Sequence, residues 1–250
     1  MRRTHRGTAH WAAAGLLALA LAGCASGPAP TPSLDDDPFE PQNRAAHGLN
    51  KALDRAAYGP AARGYGAAAP APVRAGLANF VEHLSLPGGA IQYALQGKPE
   101  RVLANTARFM TNTVFGFGGL LDPAAEMGLP FRETNVDETL YVWGVPEGGY
   151  LELPLGGPGT RRDWAGFVLD IAADPVTYLT AGTDAAYAVL GLEAIDLLRE
   201  RHQLDPVVQA LLYESADSYT AQRISYLQNM RARLQGGADL EALEDPYADF

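Results

Sequence analysis

The chain has 250 residues and 26.6 kDa, 47% hydrophobic and 19% charged, which suits one or two folded domains and excludes a disordered polyelectrolyte. A single cysteine, Cys24, excludes a disulfide framework and any cysteine-cluster metal site. Nineteen basic against 29 acidic residues leave a charge of −10, the wrong balance for a nucleic-acid binder that must neutralise phosphates.

Arg2, Arg3 and Arg6 form a basic start. The apolar, uncharged run from Trp11 to Ala22 is shorter than the ~20 residues a spanning helix needs. Leu21-Ala22-Gly23-Cys24 follows, small residues just before a cysteine, and resembles a bacterial lipobox. Residues 1–23 therefore read as a lipoprotein signal peptide, with Cys24 as the acylated first residue of the mature chain. That chain would keep 16 basic and 29 acidic residues, a charge of −13. A diacylglyceryl thioether plus an N-acyl chain such as palmitate, at ~0.8 kcal/mol per buried CH₂, is stable tethering. Ala25, where an aspartate would favour the inner membrane, permits the outer membrane of a Gram-negative bacterium. Residues 24–36, Pro-rich and polar, read as a flexible tether.

The folded body is expected over residues 37–235. Asp37-Pro38-Phe39-Glu40 is a helix start, with a cap, a proline at the first position and an early acid. Phe39, Ala46, Leu49, Leu53 and Ala57 continue it with a period near 3.6, and Gly59-Pro60 should close it. Helices are expected over Val73–Leu84, stopped by Pro87-Gly88-Gly89, over Ala90–Gln96, and from Pro99 to Val114. Phe115-Gly116-Phe117-Gly118-Gly119-Leu120-Leu121 mixes bulky apolar residues with three glycines and should be a mobile or tightly packed loop. Thr139–Trp143 and Tyr150–Leu153 read as the two strands of one small hairpin. Arg161–Ala173, Pro175–Ala181, Thr183–His202 and Pro206–Leu234 read as helices, and 236–250 as an acidic, disordered tail.

Little in this chain points to chemistry. His47, His83 and His202 lack metal-ligand spacing, and no nucleophile elbow, zinc motif or dinucleotide fingerprint is present. No enzyme, cofactor or metal is expected. A body of short, Gly/Pro-broken amphipathic helices behind an acyl anchor, rich in aromatics, suits a membrane interface as well as a globular core.

The order of short motifs resembles the VacJ/MlaA family of outer-membrane lipoproteins of the lipid-asymmetry pathway. The resemblance runs from about Asp37 to Arg231. It rests on Asp37-Pro38-Phe39-Glu40 with Asn43-Arg44, Asn50, Asp54, Asn79-Phe80, Pro87 and Leu95-Gln96-Gly97. It continues through Arg108-Phe109, Asn112-Thr113, Gly116-Phe117-Gly118-Gly119 with Asp122, Thr139-Leu140, Trp143-Gly144-Val145 and Gly148-Gly149-Tyr150. Leu153-Pro154, Gly156-Gly157-Pro158, Arg162-Asp163, Tyr219, Arg223 and Tyr226 complete it. Val136-Asp137-Glu138, Leu49 and His83 depart from the family's common residues.

What the resemblance implies is a mostly helical, ring-like single domain with one small β-hairpin, seated in the inner leaflet of the outer membrane. It would pass phospholipids through an amphipathic channel to a periplasmic phospholipid carrier, beside a trimeric porin. A lipid-anchored scaffold that passes no lipid is the alternative, and a phospholipid hydrolase is a third reading for which no nucleophile is visible. Candidate channel or bracing residues are Asn43, Arg44, Asn50, Asp54, Asn79, Arg108, Asn112, Asp122, Arg162, Asp163 and Arg223. Phe115, Gly116, Phe117, Gly118 and Gly119 are the candidate flexible channel segment.

Overall fold

The computed structural model describes residues 32–34 and 36–235. The expected signal peptide, Cys24 and the acidic tail lie outside the described residues. Helix α1 (Glu40–Leu53) runs through a π-helical turn (Asp54–Tyr58) into α2 (Gly59–Ala68), followed by α3 (Ala71–Leu95) and α4 (Pro99–Val114). Then come α5 (Pro123–Glu126), α6 (Val136–Val142), α7 (Arg161–Ala173), α8 (Pro175–Thr180) and α9 (Asp184–Gln203). Helix α10 (Asp205–Val208), a second π turn (Gln209–Glu214) and α11 (Ser218–Leu234) complete the described chain. The protein is mostly helical, as the sequence implied.

The structure corrects four local expectations. Gly59-Pro60 does not end the first helix, because proline fits the opening turn of the next one and lacks only an N–H that turn can spare. Pro87-Gly88-Gly89 does not end the second either: α3 is continuous for 25 residues. Gly89 instead lets α4 close in, since a Cβ there would lie 2.8 Å from Asn105 Nδ2. Pro206–Leu234 is not one helix; it breaks at Ser215–Asp217, and the Asp217 carboxylate accepts from Thr220 N to start α11.

The fourth correction concerns the hairpin. Thr139–Trp143 is not a strand but belongs to α6 and its end. Asn135 Oδ1 accepts from Glu138 N at 2.9 Å, and Asp137 and Glu138 fill the first turn, so cap and dipole override the β-prone Thr, Tyr and Val. The β pairing lies one loop later, as two isolated antiparallel bridges, Tyr150 with Thr160 and Leu153 with Gly157.

Contacts among the elements close a circuit. Helix α2 packs on α9, α9 on α3, α3 on α4 and α6, and α6 on α7. Tyr226 of α11 donates to Asp163 of α7 at 2.6 Å. Arg44 of α1 donates to Asp217, the cap of α11, at 3.0 and 2.9 Å, which returns the chain to its start. The last described part of the tether joins this seam: Leu34 packs on Tyr150, Tyr219, Leu227 and Met230, and Arg231 Nη2 donates to Pro32 O at 2.9 Å.

The burial pattern inverts that of a water-soluble globule. Among the described residues, seventeen polar or charged side chains are buried against ten apolar ones, so apolar packing alone cannot be what holds the interior. Large apolar side chains stand outside instead, Leu179, Phe117, Tyr187, Phe115, Leu103 and Val114 among the most exposed.

Candidate functional site

Helix α4 shows the inversion most plainly. Asn105, Arg108 and Asn112, spaced three and four apart, are buried. Leu103, Met110 and Val114 on the other side are 71%, 62% and 70% exposed. The helix turns its polar stripe inward because partners wait there. Arg108 Nη2 donates to Asp122 Oδ2 at 2.8 Å, and Asn112 Nδ2 donates to Asp122 Oδ1 at 2.8 Å. Arg108 also donates to Leu129 O, and its guanidinium lies 5.7 Å from the Phe131 ring centre. Burial raises the Asp122 carboxyl, but the bonds from Arg108 and Asn112 outweigh it and hold Asp122 below the usual carboxylate range.

The Phe115–Gly119 segment hangs on this clasp. Gly119 N donates to Asn112 O at 3.0 Å, Gly118 N to Thr113 O at 3.2 Å, and Leu121 N to Gly116 O at 2.9 Å. Asn79 of α3 donates to Leu120 O at 3.2 Å. These bonds tie its backbone to α3 and α4. Phe117, Gly118 and Gly119 are all left-handed, with φ of 53°, 72° and 98°. A Cβ on Gly119 would lie 2.4 Å from the ring of His83, which stacks on Phe109 with centroids 4.7 Å apart. Burial and nearby Arg108 push the His83 imidazole down, so it stays neutral near pH 7. The turn presents Phe115 and Phe117 outward, 71% and 77% exposed.

The remaining candidates fall into three other clasps. In the first, the fully buried Asn43 donates to Asp37 Oδ1 at 3.0 Å and Tyr150 O at 3.1 Å, and accepts from Glu152 N at 2.9 Å. Asn50 donates to Leu153 O at 2.9 Å and to Glu152 Oε1 at 3.1 Å, and accepts from Leu155 N at 2.7 Å. Arg223 joins this group less tightly. Its Nε is 3.9 Å from Asp37 Oδ2, and neither Nε nor Nη1 makes a hydrogen bond among the described residues. Arg44, in contrast, is exposed, with Glu40 Oε1 at 2.7 Å and Asp217 as partners.

In the second clasp Asp54 sits in the π turn and receives Arg201 Nε at 2.7 Å, Arg201 Nη2 at 3.0 Å and Tyr213 Oη at 2.7 Å. Burial raises its carboxyl, and those bonds lower it further than burial lifts it. In the third, Arg162 Nε donates to Asp137 Oδ1 at 2.6 Å inside the fold, while Asp163 forms a capping box with Thr160. Burial pushes the Asp137 carboxyl up to about 6 against the pull of Arg162.

The structure thus gathers Asn79, Arg108, Asn112 and Asp122 with the Phe115–Gly119 turn, and Asn43, Asn50 and Arg223 around Asp37 and Glu152. Asp54 and the Arg162–Asp163 pair stand apart. Sequence reasoning missed Arg201, Asp137 and Glu152, the partners across each seam. No local spacing could reveal Arg201, which lies 147 residues from Asp54. Asn135 with Glu138 three residues on was a legible cap signal that could have placed Asp137 on a helix.

Among the described residues no helix is long and apolar enough to cross a membrane, and no group of three or more His, Cys, Asp or Glu side chains could hold a metal ion. The family model for the MlaA lipoprotein matches residues 35–233. The chain belongs to the MlaA lipoprotein family. Family relatives include the "Intermembrane phospholipid transport system lipoprotein MlaA" of Haemophilus influenzae, 31% identical over 237 residues, covering 92% of each chain. The protein of the same name from Escherichia coli K12 is 32% identical over 91% of this chain and 89% of its own. A solved structure described as the "Structural basis for maintenance of bacterial outer membrane lipid asymmetry" contains a chain of the same fold. It has a TM-score of 0.67 and 32% identity, covering 77% of this chain and 96% of that one. The MlaA assignment fits a fold whose polar side chains are clasped inside and whose apolar side chains are left outside.

Proposed function

We propose that this chain is an acylated lipoprotein of the outer membrane of a Gram-negative bacterium, and that it takes phospholipids from the outer leaflet and passes them to a soluble periplasmic carrier. The inverted α4 is the observation that carries this reading. A helix with Arg108 and Asn112 inward and Leu103, Met110 and Val114 outward is suited to a protein surrounded by acyl chains. A lipid head group loses hydration in hydrocarbon at high cost, and a polar-lined passage lowers that cost while the tails keep apolar contact. The closed circuit of helices supports such a passage. The names of the relatives support phospholipid as the cargo. Cys24 supplies the anchor, and a trimeric porin beside the protein is the expected neighbour. In this reading the Phe115–Gly119 turn is the element that meets the acyl chains and gives way when lipid passes. No residue is assigned a catalytic role.

The test compares cells lacking the chain with cells carrying the wild type or Cys24→Ala, reading phospholipid in the outer leaflet with a surface-restricted label. Loss should raise it, the wild type should restore it, and Cys24→Ala should not. An unchanged outer leaflet in cells without the chain would overturn the proposal.

A further inference from the structure

Beside the α4 clasp lies a cavity of about 250 Å³ that none of the clasps uses. Helix α3 contributes Glu82, α4 contributes Asn105, and α9 contributes Asp196, Arg199 and Glu200, with Arg132 and Glu133 from the segment before α6. Four carboxylates thus face two guanidiniums. Arg199 is already committed: it donates to Asp196 at 2.5 and 3.1 Å and to Gln203 at 2.7 Å, with Glu200 Oε1 at 3.7 Å. It cancels Asp196 and leaves little for anything else.

Asn105 and Glu82 have no side-chain partner among the described residues. Asn105 is 4% exposed, yet its side-chain amide makes no hydrogen bond with any described residue. The amide is not among the fully enclosed unpaired groups of the fold, so it opens on the cavity, where a ligand could pair with it. The half-buried Glu82 carboxylate likewise makes no hydrogen bond or ion pair among the described residues. Burial pushes it up; Arg108 and Arg199 pull it down and Asp122 and Asp196 push it further, and it remains raised. Such a carboxyl gains most from a cation placed against it. Glu133 and Glu200 are exposed, so the cavity opens at their side to whatever lies around the protein.

We propose that this cavity receives the primary ammonium of a phospholipid head group, held by the Glu82 carboxylate and the Asn105 amide with Glu200 at the rim. An ammonium carries three donors and no acceptor, matching unpaired acceptors in a net negative cleft. A metal ion lacks its ligand set here, since no three carboxylates or histidines converge among the described residues. An acyl tail would strip water from charged walls without replacing it. A free anion meets more carboxylate than guanidinium. Asn105 lies on the helix that shows Leu103 and Met110 to the outside.

The proposal rests on the lipid-transport reading and deepens it to head-group choice. The test incubates the full acylated protein, purified in detergent, with equimolar phosphatidylethanolamine, phosphatidylcholine and phosphatidylglycerol of identical tails, and weighs the retained lipids by native mass spectrometry. Phosphatidylethanolamine should exceed phosphatidylglycerol by about tenfold, ~1.4 kcal/mol, with phosphatidylcholine, which lacks N–H donors, nearer the latter. Glu82→Gln and Asn105→Leu should each bring the ratio towards one. Calorimetric titration of the wild type with glycerophosphoethanolamine, glycerophosphoglycerol or putrescine needs no variant. Only glycerophosphoethanolamine should bind well; tighter binding of putrescine would make the source a free amine and overturn the proposal. Lipids retained without preference, or a preference that survives both substitutions, would overturn it and leave the transport reading standing. Binding of glycerophosphoethanolamine with no lipid retained would keep the site and remove the transport reading.

Discussion

Removing the charge of Asp54 should loosen the seam between the π turn and α9. Asp54 is 7% exposed and Arg201 5%, and two hydrogen bonds of 2.7 and 3.0 Å join them. Breaking a buried pair by removing one partner costs about 3–5 kcal/mol, because the survivor is left charged and desolvated. Arg201 keeps a second partner, Asp205 at 2.7 Å, so Asp54→Asn belongs at the lower end, ~3 kcal/mol. For a domain of this size that is a fall in Tm of roughly 6–12 °C. Arg201→Met should cost about as much, since Asp54 then keeps only Tyr213 and the distant Arg63. The double variant should cost hardly more than either single one, a coupling of up to ~3 kcal/mol. Thermal unfolding followed by circular dichroism in detergent reads all four proteins. Costs that simply add, or an Asp54→Asn shift within about 2 °C, would show that the pair does not hold the seam.

Two further outcomes follow from the turn and from acid. Gly118 at φ 72° faces open space and Gly119 at φ 98° faces the His83 ring, so Gly118→Ala should cost ~1 kcal/mol and Gly119→Ala ~3 kcal/mol, with His83→Ala recovering part of the second. Cells carrying Gly119→Val should still place the protein in the membrane but gain outer-leaflet phospholipid, and an unchanged leaflet would remove the turn from transport. Asp54 and Asp122 are both held below their ordinary value, so the unfolded chain binds protons more readily than the folded one. Their contribution is complete at neutral pH and is lost as pH falls below about 4 and on through their lowered native values. Stability measured down this limb should fall less steeply in Asp54→Asn; an identical slope would contradict the assignment.

The helices that sequence placed well are those whose signals are local. Pro99 to Val114 and Arg161 to Ala173 have a proline or a capping box at one end and a periodic face between, and both stand where expected. The failures came where local signals conflict. Pro87-Gly88-Gly89 carries a strong stop signal, but Gly89 is there for the approach of Asn105, and packing of α4 on α3 keeps the helix going. Thr139-Leu140-Tyr141-Val142 has strand propensity, yet Thr139 is buried between Gln92 and Gln96 at 2.8 and 3.0 Å, a tertiary reward no window of sequence contains. The polar positions were legible as a set because the family resemblance marked them. Their partners Arg201 and Glu152 were not, since those pairings join residues more than 100 positions apart, and Asp137 meets Arg162 only once two consecutive helices pack together.

The inverted helix also bears on which surroundings the chain is built for. Rolling α4 half a turn would bury Leu103, Met110 and Val114 and put Arg108 in water, the arrangement hydration favours for a soluble protein. The observed face is held because Arg108 and Asn112 both donate to Asp122, and in the proposed surroundings of acyl chains an apolar exterior would cost nothing. Each large apolar side chain so covered is worth about 1.5–3 kcal/mol relative to water. Stripped of lipid or detergent, the same surface forfeits that gain at every exposed position from Leu103 to Phe117. Under the proposed function, membrane binding and fold stability would be one equilibrium, since lipid that binds the folded form stabilises it by mass action. A clasp such as Arg108–Asp122 supplies a reason for the polar stripe to stay inside while the apolar one faces outward.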